Sequence, residues 1–337
     1  MKSSFSKLEK IFLGIVFKIG FLNRVLFDIE KVFIKKKLLI NKSIFICGLP
    51  RSGTSILLNT LYSSDKFACS TYRNMPFILS PNIWSFFSKF IKKSNYFERA
   101  HKDGLKINID SPEAFEEVFW KIMMKDEYIK EDKLNEHNLN DDIIEEFDAF
   151  KELLCQSKRK NNYISKNNSN ILRIGDLSKH YQDAKFIIMY RDPLNQSNSL
   201  RKQYINFKKI HKEDSFFIEY MSFLGHFEFG MNYKKYSFES EKKFHIEDLG
   251  FWLEKWCQVY EYLFSKNEKN ITFLSYENFC KNPRNSLEKI IKDRNIISNI
   301  DFKNIQNNNL NIKFEGRIKD KAYLIYEKLN KLEKSSA

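Results

Sequence analysis

The densest chemistry in the sequence lies in Gly48-Leu49-Pro50-Arg51-Ser52-Gly53-Thr54-Ser55, where two glycines stand five residues apart and two hydroxyl residues follow the second. Such a turn between a strand and a helix lets backbone N–H groups converge on an anion at the helix N-terminus. A loop that serves a magnesium triphosphate has Lys directly after the second glycine, reaching the β- and γ-phosphates, then Ser or Thr on the metal. Here Thr54 occupies the Lys position and the cation is Arg51, inside the loop. The site still calls for an oxyanion, and a nucleotide with a single 5′ phosphoryl-type group suits it better than a triphosphate. A second block is Arg191-Asp192-Pro193 with Ser199 eight residues after the arginine. An arginine fork and a hydroxyl can grip another phosphate. By itself, the triplet reads equally as an arginine paired with a nearby carboxylate.

Strands and helices must place these blocks. Ser43-Ile44-Phe45-Ile46-Cys47 predicts a buried strand that ends at Gly48-Leu49-Pro50, and Ile56, Leu57, Leu58 and Leu61 predict a helix over 55–61. Lys185–Tyr190 predicts a second strand, with Arg191 at its carboxyl end, where open α/β sheets bind ligands. Asp192 as N-cap and Pro193 at the first helical position open a helix through Leu200. Ile271–Ser275 predicts a third strand, followed by a helix over about 286–291. This alternation predicts an α/β fold: a mainly parallel sheet with helices on both faces. A helical insertion separates the first two units, with one helix over 112–124, N-capped by Ser111 with Pro112 at its first position, and another over 141–154. The Asn/Lys-rich segments 157–170 and 295–311 read as surface loops, and no internal repeat is evident.

The 337 residues are 42% hydrophobic and 15% aromatic, ample for a core, so a disordered chain is not the expectation. A net charge of +14 suggests an anionic partner (nucleic acid, membrane or small molecule), although a general bias toward Lys, Asn, Ile and Phe explains it too. Five cysteines at 47, 69, 155, 257 and 280 form no C-x-x-C pair and have no His at metal-ligand spacing, which argues against a disulfide scaffold or zinc module and for a reducing cytoplasm. The apolar stretch 11–27 is interrupted by Lys18, Asn23 and Arg24 and lacks a small-residue cleavage site after it. It reads as an amphipathic helix, flanked by Lys35, Lys36 and Lys37, that either docks on the domain's own core or lies on a membrane surface. The boundaries expected are an N-terminal extension over 1–41, a P-loop-like domain over 42–292, and a C-terminal loop and helix over 293–337.

Together, Pro50-Arg51-Ser52-Gly53-Thr54-Ser55 and Arg191-Asp192-Pro193 through Ser199 resemble the two nucleotide-binding motifs of sulfotransferases that use 3′-phosphoadenosine 5′-phosphosulfate (PAPS). The resemblance extends to the large bacterial branch through Tyr72-Arg73-Asn74-Met75-Pro76-Phe77, Glu98 to Gly104, Ser111 to Trp120, and Tyr276-Glu277-Asn278-Phe279 with Asn282-Pro283, and covers roughly residues 42–292. It implies that Arg51, Ser52, Gly53, Thr54 and Ser55 hold the 5′-phosphosulfate, that Arg191 and Ser199 hold the 3′-phosphate, and that Tyr276 lies near the nucleotide. Lys166 resembles a family lysine that contacts the phosphosulfate. The implied reaction is metal-free sulfuryl transfer to a hydroxyl or amine of a carbohydrate, lipid or small metabolite, releasing 3′,5′-ADP. Tyrosine-directed members carry a Glu about twenty residues beyond the loop, where this chain has Thr71-Tyr72-Arg73. The general base is therefore sought among His101, Glu113 and Glu116 in the family-like middle segment. Arg73 either meets an anionic acceptor or pairs with a carboxylate. Two other readings stay open: a P-loop kinase or triphosphatase with a degenerate loop, and a non-enzymatic basic protein that binds membrane or nucleic acid.

Overall fold

The computed structural model describes residues 7–18, 20–32, 39–91, 96–98, 106–241, 243–266, 268–303 and 305–335. Its strands are β1 (Lys42–Cys47), β2 (Phe97–Glu98), β3 (Lys106–Ile107), β4 (Lys133–Leu134), β5 (Asn162–Lys166), β6 (Lys185–Tyr190), β7 (Lys235–Tyr236) and β8 (Ile271–Ser275). The central sheet has the order β5-β1-β6-β8 and is parallel throughout; β2 with β3 and β4 with β7 form two short ribbons. The helices of the N-terminal half are α1 (Lys7–Lys18), α2 (Gly20–Val32), α3 (Thr54–Tyr62), α4 (Pro81–Ser88), α5 (Glu116–Tyr128) and α6 (Asp141–Lys158). Those of the second half are α7 (Ile174–His180), α8 (Pro193–Glu213), α9 (Phe216–Leu224), α10 (Leu249–Ser265), α11 (Tyr276–Lys281), α12 (Pro283–Ile291), α13 (Arg294–Ser298) and α14 (Arg317–Ser335).

Side chains alternate across a strand, so the apolar residues of β1, β6 and β8 feed two cores. Phe45, Cys47, Phe186, Ile188, Tyr190 and Phe273 face the larger core, shared with α5, α6, α8, α10 and α14. Ile44, Ile46, Ile187, Met189 and Leu274 face a smaller one, closed by α3, α11, α12 and α13. The sheet is therefore covered on both faces, as the alternating pattern predicts. The C-terminal helix α14 joins the larger core through Ala322, Ile325 and Leu329.

Several local expectations are corrected. The segment 157–170 is not a surface loop: α6 runs through Lys158, β5 pairs with β1, and Asn167 to Asn170 are buried. The segment 295–311 opens in α13, but its described residues beyond Ser298 are the loop expected, mostly exposed and running as a strap across the sheet's carboxyl edge. The helix predicted at 112–124 starts at Glu116, because Thr71 and Pro112 form an isolated antiparallel bridge and the Glu113 N–H donates to the Ser70 carbonyl, holding this stretch extended. Ser111 does not cap it; the Asn108 N–H donates to the Ser111 hydroxyl at 2.9 Å. The helix opened by Asp192 continues to Glu213, and the one expected at 286–291 begins at Pro283.

The N-terminal stretch forms two helices. On α1, Leu13 and Val16 are buried and Phe17 stacks on Phe223 of α9 at 4.3 Å. On α2, Asn23, Phe27 and Glu30 face inward; Glu30 accepts from the Asn82 and Ile83 N–H groups, both at 2.9 Å, capping α4. Lys35, Lys36 and Lys37 lie outside the described residues.

Candidate functional site

In a parallel sheet all carboxyl ends point one way, and the register here levels them: Ile46 lies opposite Lys166 and Ile187, and Tyr190 opposite Ser275. The residues that follow the strands are Gly48 to Ser55, Lys166 to Asn168, Arg191 with Asp192, and Tyr276 with Glu277. They emerge along one edge, and open α/β sheets bind ligands at such an edge.

The loop after β1 is built tightly. Gly48 has φ +141° and a Cβ there would sit 2.4 Å from the Met189 carbonyl oxygen, so no side chain fits. Gly53, at φ +98°, would place a Cβ 2.5 Å from the Tyr276 ring. Arg51 is held at φ +71°, a left-handed conformation that costs a non-glycine residue energy and concentrates at functional sites. Its Nε donates to the Ser199 hydroxyl at 3.0 Å, joining the two sequence blocks. α3 opens at Gly53 without a side-chain cap, and the buried Ser52 hydroxyl has no hydrogen-bond partner among the described residues. Thr54 is buried and its hydroxyl donates to Asn168 Oδ1 at 3.4 Å. Ser55 stands in the first turn of α3. An uncapped helix start, an unanswered hydroxyl and an arginine at the same turn fit an oxyanion.

Arg191 lies over the Tyr276 ring, its guanidinium carbon 4.5 Å from the centroid. Its Nε donates to Asn309 Oδ1 at 2.7 Å and a terminal nitrogen to the Asn308 carbonyl at 3.3 Å. Tyr276 thus stands between Gly53 and Arg191, its hydroxyl donating to the Gln306 carbonyl at 2.8 Å. Burial pushes this phenol up to about 12. Asp192 caps α8 through the Asn195 N–H and accepts from the Tyr323 hydroxyl of α14 at 2.9 Å. The oxygens that hold Arg191 among the described residues are the Asn309 amide oxygen and the Asn308 carbonyl of the strap, not the neighbouring Asp192.

Lys166 ends β5 and is buried, its Nζ 3.9 Å from Glu113 Oε1. The other Glu113 oxygen accepts from the Tyr72 hydroxyl at 2.6 Å, and Oε1 accepts from the Ala114 N–H at 2.8 Å. Glu116 sits elsewhere: its carboxylate accepts from Trp120 Nε1, the Tyr163 hydroxyl, Asn167 Nδ2 and Asn170 Nδ2 inside the core. His101 lies outside the described residues. Arg73 pairs with Asp110, at 2.5 and 3.0 Å, and also donates to the Ser88 and Ile91 carbonyls, which resolves its alternatives in favour of the carboxylate.

Sequence reasoning missed two supports. Gln196, fully buried on α8, donates to the Leu49 and Pro50 carbonyls at 2.8 and 3.1 Å and accepts from Trp256 Nε1 at 2.9 Å. Its signal was a Gln one turn beyond the Asp-Pro start, on the inward side of a helix. The second support is the buried pair Glu117 and Arg173, 2.7 Å apart, which also engages Asn167, Asn170, Tyr128 and His137. Burial would raise the Glu117 carboxyl, but Arg173 holds it below its ordinary value. His137 is pushed down to about 4 by burial and by Arg173, whose Nε donates to His137 Nε2 at 3.0 Å.

No curated protein matches the sequence. Among solved structures, the chain is similar to sulfotransferase STF9 from Mycobacterium avium, with 11% identity and a TM-score of 0.44 over 82% of this chain and 70% of that one. It is also similar to sulfotransferase STF1 from Mycobacterium tuberculosis H37Rv, with 11% identity and a TM-score of 0.45 over 94% and 85% of the two chains. A sulfotransferase from Alicyclobacillus acidocaldarius gives 13% identity and a TM-score of 0.38 over 87% and 96%. The family model described as "Sulfotransferase family" matches residues 43–227, more than half of the chain, running from β1 past the end of α9. The chain belongs to the sulfotransferase family.

Proposed function

We propose that this chain transfers the sulfuryl group of PAPS to a hydroxyl or amine of a carbohydrate, lipid or small-metabolite acceptor and releases 3′,5′-ADP. The observation that carries the reading is the Arg51 to Ser199 hydrogen bond: it brings the 5′-side loop and the 3′-side block to one edge, as a donor with two separated anionic groups requires. PAPS supplies the sulfuryl group. Arg51, Ser52, Gly53, Thr54 and Ser55 would hold its 5′-phosphosulfate, Arg191 and Ser199 its 3′-phosphate, and Tyr276 the nucleoside between them.

In the transfer, the acceptor oxygen or nitrogen forms a bond to sulfur while the bond from sulfur to the 5′-phosphate oxygen breaks. The acceptor proton leaves to a base. Negative charge grows on the departing phosphate, where Arg51 and the N–H groups at the start of α3 would stabilise it without reorganising. Lys166, at the end of the neighbouring strand, adds a second cation. Glu113 is the better-placed base: Tyr72 and Lys166, the latter at the end of β5, flank it, whereas four donors saturate Glu116 in the core. Gln196 acts through the loop, fixing two carbonyls so that the N–H groups face the donor.

The test is incubation with PAPS labelled at sulfur and a panel of hydroxyl and amine acceptors, in the presence of chelator. Labelled product that disappears with Arg51→Ala is expected. No transfer to any acceptor, together with magnesium-dependent ATP hydrolysis, would instead establish the triphosphatase reading.

A further inference from the structure

Arg191 has two carboxylates as close neighbours, Asp192 beside it in the chain and Glu277 one side chain away, and it pairs with neither. Asp192 accepts from the Asn195 N–H and the Tyr323 hydroxyl, both at 2.9 Å. Glu277 accepts from the Asp192 N–H at 3.0 Å, the Ser275 hydroxyl at 3.1 Å, the Tyr326 hydroxyl at 3.0 Å and Asn309 Nδ2 at 2.7 Å. All of these donors are neutral. The acids are therefore satisfied without drawing on the arginine's charge.

Asn309 is what separates Arg191 from Glu277. Its Oδ1 accepts from Arg191 Nε at 2.7 Å, and its Nδ2 donates to Glu277 Oε1 at 2.7 Å. A guanidinium only donates and a carboxylate only accepts, so an amide, which does both, fits between them in one orientation. The strap that carries Asn309 is fastened on both sides of it. The Tyr276 hydroxyl donates to the Gln306 carbonyl at 2.8 Å, and Asn195 meets the Leu310 N–H at 2.6 Å and its carbonyl at 3.1 Å. With the Asn308 carbonyl on Nη2, the strap takes one edge of the guanidinium, while the Tyr276 ring covers one of its faces. The other edge, ending in Nη1, meets no acceptor among the described residues.

We propose that Asn309 is a positioning residue for the donor's 3′-phosphate: it fixes Arg191 by one edge and keeps Glu277 from pairing with it, leaving the other edge to the phosphate. The inference rests on the proposed use of PAPS. It assigns the preference for a nucleotide with a 3′-phosphate in part to a strap residue outside both sequence blocks and beyond the matched residues 43–227. An arginine held in place, with no ion pair to give up, forms its charge-assisted fork with a phosphate at little cost of ordering.

The test is titration of the full chain with 3′,5′-ADP and with 5′-AMP, comparing the parent with Asn309→Ala and Asn309→Asp, and recording melting temperatures without nucleotide. Gln306 to Asn308 are exposed, so folding should not depend on the neighbouring Asn309. The parent is expected to favour 3′,5′-ADP. Asn309→Ala should lower that preference about fivefold, and Asn309→Asp, which sets a carboxylate against Nε, about tenfold or more, with 5′-AMP affinity and melting temperature nearly unchanged. A parent that binds the two nucleotides equally would remove the PAPS reading and this one together. Where the parent does favour 3′,5′-ADP, the positioning role alone is overturned by an unchanged preference in a variant that keeps its melting temperature, or by equal weakening of both nucleotides. Tighter 3′,5′-ADP binding by Asn309→Ala would also overturn it, making the strap a competitor for Arg191.

Discussion

The carboxyl edge of the sheet and the cluster that follows β5 are both crowded with charge, and they are assembled in opposite ways. In the cluster, Glu116, Glu117, Arg173, Asn167, Asn170, Tyr163 and His137 answer one another through short, buried hydrogen bonds. At the edge, α3 starts uncapped, Ser52 has no partner among the described residues, and Arg51 is strained toward Ser199. A closed network fixes shape; an uncapped helix start and an unanswered hydroxyl leave hydrogen-bonding capacity that a ligand could use. Type and spacing alone do not separate the two, because both contain arginine, hydroxyl and amide side chains.

Breaking the closed network should have the largest effect. Arg173→Met leaves Glu117 buried and unpaired, and the expected loss is about 3–5 kcal/mol of stability by urea unfolding, with the double variant Glu117→Leu with Arg173→Met recovering much of it. Arg51→Ala should do the reverse: stability within about 0.5 kcal/mol of the parent, and sulfuryl transfer down about 100-fold or more. Equal damage to stability by both would erase the distinction.

Acid should sharpen it next. His137 must be neutral at Nε2 to accept from Arg173, and it titrates near 4 when folded against 6.5 in the unfolded chain. Between those values the unfolded state holds the extra proton, so stability falls as pH is lowered through that window, by roughly 2–3 kcal/mol. His137→Gln should flatten the slope, measured as unfolding midpoints from pH 7 to pH 4. The smallest effect belongs to Ser199→Ala, which removes one neutral hydroxyl at the edge and should weaken 3′,5′-ADP about threefold to tenfold with no change in melting.

Much of this architecture was legible in the chain. The strands β1 and β6 have apolar runs of four and five residues and β8 has three apolar residues in five, and the glycines, Arg51 and the Asp-Pro cap mark the turns that follow two of them. β5 was not, because Asn162-Tyr163-Ile164-Ser165-Lys166 on the sheet's edge has only two apolar residues and lies among Asn and Lys. The Tyr163 hydroxyl and Asn167, just past the strand, meet partners more than forty positions away, Glu116 and Glu117, which no local pattern reveals. For the same reason Glu116 read as a catalytic candidate: an acid's partners, not its position in a motif, decide whether it is available. The strap of Gln306 to Asn309 over Tyr276 and Arg191 also escaped a reading based on composition.

The most direct test is titration calorimetry with 3′,5′-ADP in chelator, comparing the parent with Arg51→Ala and using 5′-AMP as a second ligand. The account predicts saturable one-site binding of 3′,5′-ADP, weaker binding of 5′-AMP, which lacks the group for Arg191 and Ser199, and a further loss with Arg51→Ala. Absence of 3′,5′-ADP binding, or equal affinity in the parent and Arg51→Ala, would contradict it.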